Sequence, residues 1–375
     1  MAEITRALIA RVGVDLAKNV IQVHAVDEAG RRVVARAFRR EPFWAWCAQL
    51  PAGCLVAMEA CSGAHHFARK LRALGLDARL IAASLVSPYR MEGKSGKNDM
   101  TDAAAICEAA SRPTMRFVAI KSCEQQGVMA LHRVREGLKE ERTACINRIR
   151  GLLAEFGLVY GKSAKVLRAV LADVIEDASN ELSPMARQVV QHAFEHWREL
   201  DEHMRWCDRQ VGQHVRSSAA ARCAAKVTGI GELGASALTA GVGEFRQFKS
   251  GAQFAAWLGL VPRQNSSGGK ASLGRITKRG DDYLRTLLIQ GAKSAVMSAG
   301  KRDDPISRWL VQLIARVGWQ KACVAMANKN ARILWSVMTR EQGYDPHHVS
   351  VKPQAKQPLQ RGAASAVPAI QACVA

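Results

Sequence analysis

Carboxylates in unusual places are the first feature of the 375-residue chain with chemistry to offer. Asp99 and Asp102 stand three residues apart in KSGKNDMTD, at the start of a helical pattern, so both acids fall on one helical face. Asp15 interrupts the apolar run ARVGVDLA, and Glu59 closes the apolar run CLVAMEA, where a buried strand normally carries aliphatic residues. A charge in a strand core is costly unless it is paired or bound to a metal. Four carboxylates converging from two strands and a helix suit two divalent cations roughly 4 Å apart, an arrangement that activates a nucleophile and steadies the leaving oxygen in phosphoryl transfer. The expectation is a metal-dependent enzyme acting on nucleic acid. Taken singly, Asp99 and Asp102 would be ordinary first-turn acids favoured by the helix dipole, and Glu59 a strand-end surface acid; their joint placement argues otherwise. His65 and His66 follow Glu59 closely, but hard Mg²⁺ prefers oxygen, so both are read as structural.

Charge points the same way. Lys and Arg number 54 against 33 acids, a net +21 spread along the chain, and such a field favours a polyanion whose binding weakens steeply with salt. The ten cysteines form no CxxC pair and no Cys/His cluster at zinc spacing, as expected of reduced thiols in a cytoplasmic protein. No signal-peptide pattern opens the chain and no apolar run reaches membrane-span length, so a soluble intracellular protein is expected.

The elements that must position the acids follow from periodicity. LIARVGVDLA, VIQVHAVD and RRVVARAF read as three successive strands, the last two joined by a turn at Glu28-Ala29-Gly30. A helix around PFWAWCAQL, a strand at 54–60, a helix through HHFARKLRALGL, the strand DARLIAA and the helix bearing Asp99 and Asp102 come next. Three antiparallel strands and then alternating helices and strands, with acids on strand one, strand four and a late helix, is a ribonuclease H-like order. The fold class expected is therefore α/β plus all-α, with a ribonuclease H-like unit over 1–122. Over 123–220 apolar residues recur at threes and fours, and Ser183-Pro184 opens a helix with a serine N-cap and proline in its first turn. Val190, Phe194, Trp197, Met204, Val211 and Val215 repeat at near-heptad spacing, which suits either a dimerising coiled coil or an intramolecular helical hairpin.

Residues 221–345 read as mainly α-helical, and 346–375, rich in Ala, Gln, Pro and Lys, as a mobile tail. KVTGIGELGASA resembles a helix-hairpin-helix element, in which Gly229 and Gly231 would bring backbone amides close to a phosphate. In FAAWLGLVPRQNSSGGKASLGRITKRGDD a helix stops at Pro262 and enters a Ser/Gly loop flanked by Arg263, Lys270, Arg275, Lys278 and Arg279. Amides and cations there could cradle a phosphate, with Ser266 or Ser267 as the exposed hydroxyl. Lys94 and Lys97 give the loop before Asp99 the same basic character, while Asn328, Lys329 and Asn330 read as a solvated helix face.

GVDLAKN, AMEACSG, KNDMTDA, GIGELGA, and GLVPRQNSSGGK followed by GRITKRGD together resemble the DEDD transposases of the IS-one-ten insertion-sequence family, over residues 8 to about 340. The resemblance implies a RuvC-like N-terminal domain, a coiled-coil connection and a C-terminal transposase domain. By that resemblance Asp15, Glu59, Asp99 and Asp102 are the metal-binding quartet, with Mg²⁺ as cofactor. Ser267, directly before the first glycine, is the nucleophile that attacks a DNA phosphate, and Ser266 is only its neighbour. The resemblance further implies a homo-oligomer, dimer or tetramer, guided by a bridge RNA that pairs with donor and target DNA. Two other functions fit the residues: a RuvC-like structure-selective nuclease that uses water, and an inert basic nucleic-acid-binding protein whose acids merely pair with Arg and Lys.

Overall fold

The computed structural model describes residues 8–90, 99–266, 272–340 and 343–348. Strands β1 (Arg11–Leu16), β2 (Ile21–Val26) and β3 (Arg32–Phe38) form an antiparallel meander, and Gly30, at φ +78°, supplies the left-handed residue of the β2–β3 turn. Helix α1 (Arg40–Cys47) leads to β4 (Leu55–Glu59), helix α2 (Ala64–Ala73) to β5 (Asp77–Ile81), and β4 and β5 join the sheet in parallel. A short antiparallel β6 (Phe117–Val118), which the residue pattern did not suggest, completes the order β3-β2-β1-β4-β5-β6. The result is a mixed sheet with helices on it.

Alternation along the strands sorts the two faces. Val12, Val14, Val56, Met58 and Leu80 pack with Phe43, Trp46, Phe67 and Leu71 of α1 and α2. On the other face lies α4 (Asp99–Ala110), whose Ala105, Ile106 and Ala109 pack with Ala57 and Ile81. A one-turn helix, α3 (Ala83–Val86), precedes it in sequence, and its Val86 joins the same cluster. A fully buried side chain of this size contributes about 1.5–3 kcal/mol, so both faces help hold the sheet.

Helix α5 (Cys123–Ala154) begins with a capping box: Ser122 Oγ accepts from Gln125 N, and Gln125 Oε1 accepts from Ser122 N. Helix α7 (Pro184–Ser217) opens as its sequence suggests, with Ser183 Oγ accepting from Ala186 N. Between them is α6 (Ala164–Glu176), which the sequence reading missed. Cys145, Ile149 and Leu153 of α5 pack with Leu167 and Leu171 of α6 and with Val190, Trp197 and Leu200 of α7. Much of the near-heptad seam is therefore covered within the chain itself, as in a helical hairpin.

The C-terminal part is mostly helical: α8 (Ala219–Ala225), α9 (Glu232–Val242), α10 (Gly251–Trp257), α11 (Asp282–Ser298), α12 (Pro305–Val317) and α13 (Trp319–Thr339). Its core gathers Leu238, Phe254, Leu284, Leu288, Met326 and Leu334. The helix expected to run up to Pro262 ends at Trp257, where Gly259 takes φ +72°, and Pro262 instead starts β7 (Pro262–Gln264), which pairs with β8 (Leu273–Ile276) as an exposed hairpin.

A buried polar chain joins this module to the long helices. Ser236 Oγ on α9 lies 2.9 Å from both His132 Nε2 on α5 and His214 Nδ1 on α7, and His132 Nδ1 lies 2.9 Å from Tyr283 OH on α11. Burial, reinforced by Arg135 and His214, pushes His132 down to about 4 from its ordinary 6.5. Above pH 6.5 the imidazole is neutral whether the chain is folded or not. As pH falls from 6.5 towards 4 the unfolded chain takes up the proton first, so stability is lost across that window, at up to about 1.4 kcal/mol per pH unit. Urea midpoints measured at pH 7 and pH 5 are expected to differ more for the wild type than for His132→Gln; equal pH dependence would remove the assignment.

Candidate active site and nucleic-acid interface

The acid site is built on one close approach. A Cβ added at Gly13 would lie 2.2 Å from Ala103 O and 2.7 Å from Cys107 Cβ, so the backbones of β1 and α4 meet where a side chain is missing. Arg11 Nε donates to Cys107 O at 3.0 Å and fixes the direction of the crossing: residues late in α4 lie over Arg11, and those near its start lie towards Asp15. Gly13 and Asp15 are two apart on a strand and share the face that α4 covers. The same rule carries Glu59 to that face, because Ala57 packs with α4. The β1–β4 register, Val14 opposite Met58, sets Asp15 and Glu59 side by side at the ends of adjacent parallel strands.

Cys61 reports on this neighbourhood: burial raises its thiol above the ordinary value first, and the negative charges of Asp15 and Glu59 raise it further. Asp102, only 8 % exposed, reaches the site from α4. Arg90, which the sequence reading passed over inside YRMEGKSGKND, enters from the segment after α3. Its Nη2 donates to Glu59 Oε1 at 3.1 Å, and its Nε lies 2.7 Å from Asp102 Oδ1. Asp99 occupies the first turn of α4, and its side chain lies outside what the structure describes, as do Lys94 and Lys97 altogether. Among the described residues no three Asp, Glu, His or Cys side chains converge closely enough to hold a metal ion by themselves. The donor chemistry nevertheless fits a hard cation: the groups are carboxylate oxygens, and buried Asp102 Oδ1 has no hydrogen-bond partner. His65 serves structure, with Nδ1 accepting from Lys121 N, and burial together with Lys121, Arg69 and Arg133 lowers it to about 4. His66 lies edge-on to Phe67.

The second set of residues surrounds the exposed hairpin. Ser267 and Lys270 fall between β7 and β8 in sequence, outside the described residues, while Ser266 is exposed and its Oγ accepts from Ser272 N. Arg263, Arg275, Lys278 and Arg279 are all exposed around the hairpin base. Two glycines make the base possible. A Cβ at Gly259 would stand 2.2 Å from Arg279 O, and one at Gly280, φ +111°, would stand 1.9 Å from Trp257 O. The Lys278-Arg279-Gly280 backbone thus lies directly on the turn that ends α10, with Lys278 itself in the left-handed region at φ 54°.

Gly229 has a protein neighbour: at φ +84°, its missing Cβ would meet Asn330 Nδ2 at 3.0 Å and Gly291 O at 3.1 Å. Gly231 is exposed, has nothing within 4 Å of its missing Cβ, and caps the N-terminus of α9. Contrary to expectation, Asn328–Asn330 do not form a solvated face. Asn330 is fully buried and donates to Thr228 O at 3.0 Å, Asn328 donates to Leu260 O at 3.3 Å, and the Lys329 ammonium sits 4.6 Å from the centre of the Trp309 ring. Polar residues on an otherwise apolar helix looked like a wet face because the loop carbonyls they satisfy are remote in sequence.

Known proteins carry the same arrangement of sequence. A transposase family model matches residues 12–157, and a model described as "Transposase IS116/IS110/IS902 family" matches residues 221–306. A Pseudomonas aeruginosa protein named "Probable family 20 transposase" is 46 % identical over 341 residues, 90 % of this chain and 99 % of its own length. The chain belongs to the IS110-family transposases. The transposase for insertion sequence element IS1111A of Coxiella burnetii is 40 % identical over 89 % of this chain and 90 % of its own. That for element IS1328 of Yersinia enterocolitica is 36 % identical over 88 % and 96 %. Family membership makes the chain an insertion-sequence transposase, an enzyme that cuts and rejoins DNA, and DNA is accordingly its substrate. Among the described residues of this transposase, no helix is long and apolar enough to cross a membrane.

Proposed function

We propose that this transposase works through Ser267 as nucleophile, with Asp15, Glu59, Asp99 and Asp102 holding Mg²⁺, on a RuvC-like sheet and under the guidance of a bridge RNA. The observation that carries the reading is that Asp15 and Glu59 share the sheet face covered by α4, the helix that carries Asp102, where the Gly13 crossing lets that helix approach closely. Support for the fold comes from the strand order, three antiparallel strands followed by two parallel ones. Mg²⁺, when bound, supplies positive charge against the phosphate oxygens and the departing oxygen.

The remaining steps belong to the chain. Arg263, Lys270, Arg275, Lys278 and Arg279 hold the DNA backbone beside the Ser/Gly tip, joined by Lys94 and Lys97 and the amides of Gly229 and Gly231. Ser267 Oγ loses its proton and bonds to phosphorus as the phosphorus–oxygen bond to one sugar breaks, and that sugar leaves as a hydroxyl. Recombination then reverses the step with a different hydroxyl. Serine and acids from different subunits of a dimer or tetramer can complete one site.

A denaturing gel of transposase, cognate RNA, labelled DNA and Mg²⁺ is expected to show DNA covalently attached to protein, and Ser267→Ala to remove that band. Recombinant junctions formed by Ser267→Ala would end the covalent scheme in favour of hydrolysis by water. One observation favours the inert alternative, in which the acids only pair with basic residues: Arg90 contacts both Glu59 and Asp102. Activity lost on Asp15→Ala or Asp102→Ala, with RNA and DNA binding retained, separates the two.

A further inference from the structure

Arg90 does something at the acid site that neither strand nor helix explains. It bridges two carboxylates from different elements, Glu59 at the end of β4 and Asp102 in the first turn of α4. A guanidinium pairs best in plane with one carboxylate through two parallel hydrogen bonds. Among the described residues it makes one side-chain hydrogen bond, to Glu59, while Arg90 Nε and Asp102 Oδ1, both buried, face each other at 2.7 Å without hydrogen-bond alignment. The guanidinium charge thus sits between oxygens of two elements without a paired fork to either, the position a metal between those oxygens would take.

We propose that Arg90 is the resident cation of the acid site, competing with the divalent metal, and that a nucleic-acid phosphate draws it away. The proposal rests on the metal reading of the quartet. Arg90 follows the short α3 and retains about a third of its side-chain surface, 34 %, in contact with solvent, so the guanidinium can swing outward without unpacking a core. A phosphodiester accepts the same fork of N–H groups that a carboxylate does. Metal and nucleic acid then bind with positive coupling: the phosphate takes the guanidinium, and Glu59 and Asp102 are left to the metal. Reciprocity requires that metal tighten nucleic-acid binding by the same factor. The chain would in this way leave its acids unloaded until DNA or RNA is in place.

The test is a Mn²⁺ titration, read as free Mn²⁺ by electron paramagnetic resonance, on the full chain with and without a DNA duplex. Asp102→Asn, titrated in parallel, subtracts the Mn²⁺ held by the DNA. Without DNA, Arg90→Gln is expected to bind Mn²⁺ about tenfold more tightly than wild type, within the usual range of coupling between sites. DNA should tighten wild type towards the variant's value and leave the variant unchanged. Arg90→Lys, which keeps a charge without the fork, is expected in between and guards against a misfolded glutamine variant. Equal Mn²⁺ affinity of wild type and both variants, each above the Asp102→Asn baseline, would overturn the role of Arg90 and leave the metal reading intact. No binding above that baseline by any chain, with or without DNA, would remove the metal reading and the role of Arg90 with it.

Discussion

Gly13→Val should unfold at a distinctly lower urea concentration than wild type, by about 3 kcal/mol, the upper end of what overpacking costs in a filled interior. The reason is that the obstruction is backbone. A flexible side chain could turn aside, but Ala103 O and Cys107 N, 2.2 and 2.5 Å from the added Cβ, belong to a helix locked by its own hydrogen bonds. The helix must lift, and Asp102 with it, so DNA cleavage should fall much further than the folded fraction does at the same temperature. Gly127→Ala is the control: it lies within α5 with nothing within 4 Å, and should raise stability by roughly 0.5–1 kcal/mol. A Gly13→Val chain with the wild-type midpoint would mean that β1 and α4 are not in contact as described.

Gly280→Val is the second large effect, and it acts at the other end of the chemistry. The added Cβ would stand 1.9 Å from Trp257 O, and φ +111° is a conformation that residues with a side chain avoid. About 3 kcal/mol of stability should again be lost, from the C-terminal module. The turn carrying Lys278 and Arg279 is displaced, so the dependence of DNA affinity on salt should become shallower by about two phosphate contacts' worth, close to 0.9 for each. Lys278→Ala/Arg279→Ala should give the same change of slope without the loss of stability. An unaltered slope in that double variant would take these two residues out of the DNA interface.

The sheet was legible because its strands have a face to bury. Val12, Val14, Val23 and Met58 recur at period two, and acids among them stand out as exceptions. Ser183 announced its long helix by capping chemistry that is local in sequence, and the capping box at Ser122 is of the same local kind, though it was not read there. The β7–β8 hairpin had no such signature: its residues are almost all exposed, and its pairing depends on the turn at Gly259 and on Thr277 N donating to Val261 O. Arg90 was missed for a related reason. In a run of basic residues nothing local marks the one that folds back onto Glu59 and Asp102, since those partners lie 31 residues before it and 12 after it. Asp15 and Glu59 stand out in the sequence because they interrupt or close apolar runs, and Asp102 by its spacing from Asp99, whereas Asn328 and Asn330 gave no sign of the loops they serve.

Those two amides have a mechanical corollary. Asn328 grips the turn after α10 and Asn330 grips the turn before α9, and both project from one stiff helix, α13. The pair acts as a caliper whose jaws are the hairpin base and the Gly229 bend. Through these two bonds the spacing between the jaws is tied to one helix, so a displacement of either turn is resisted by α13.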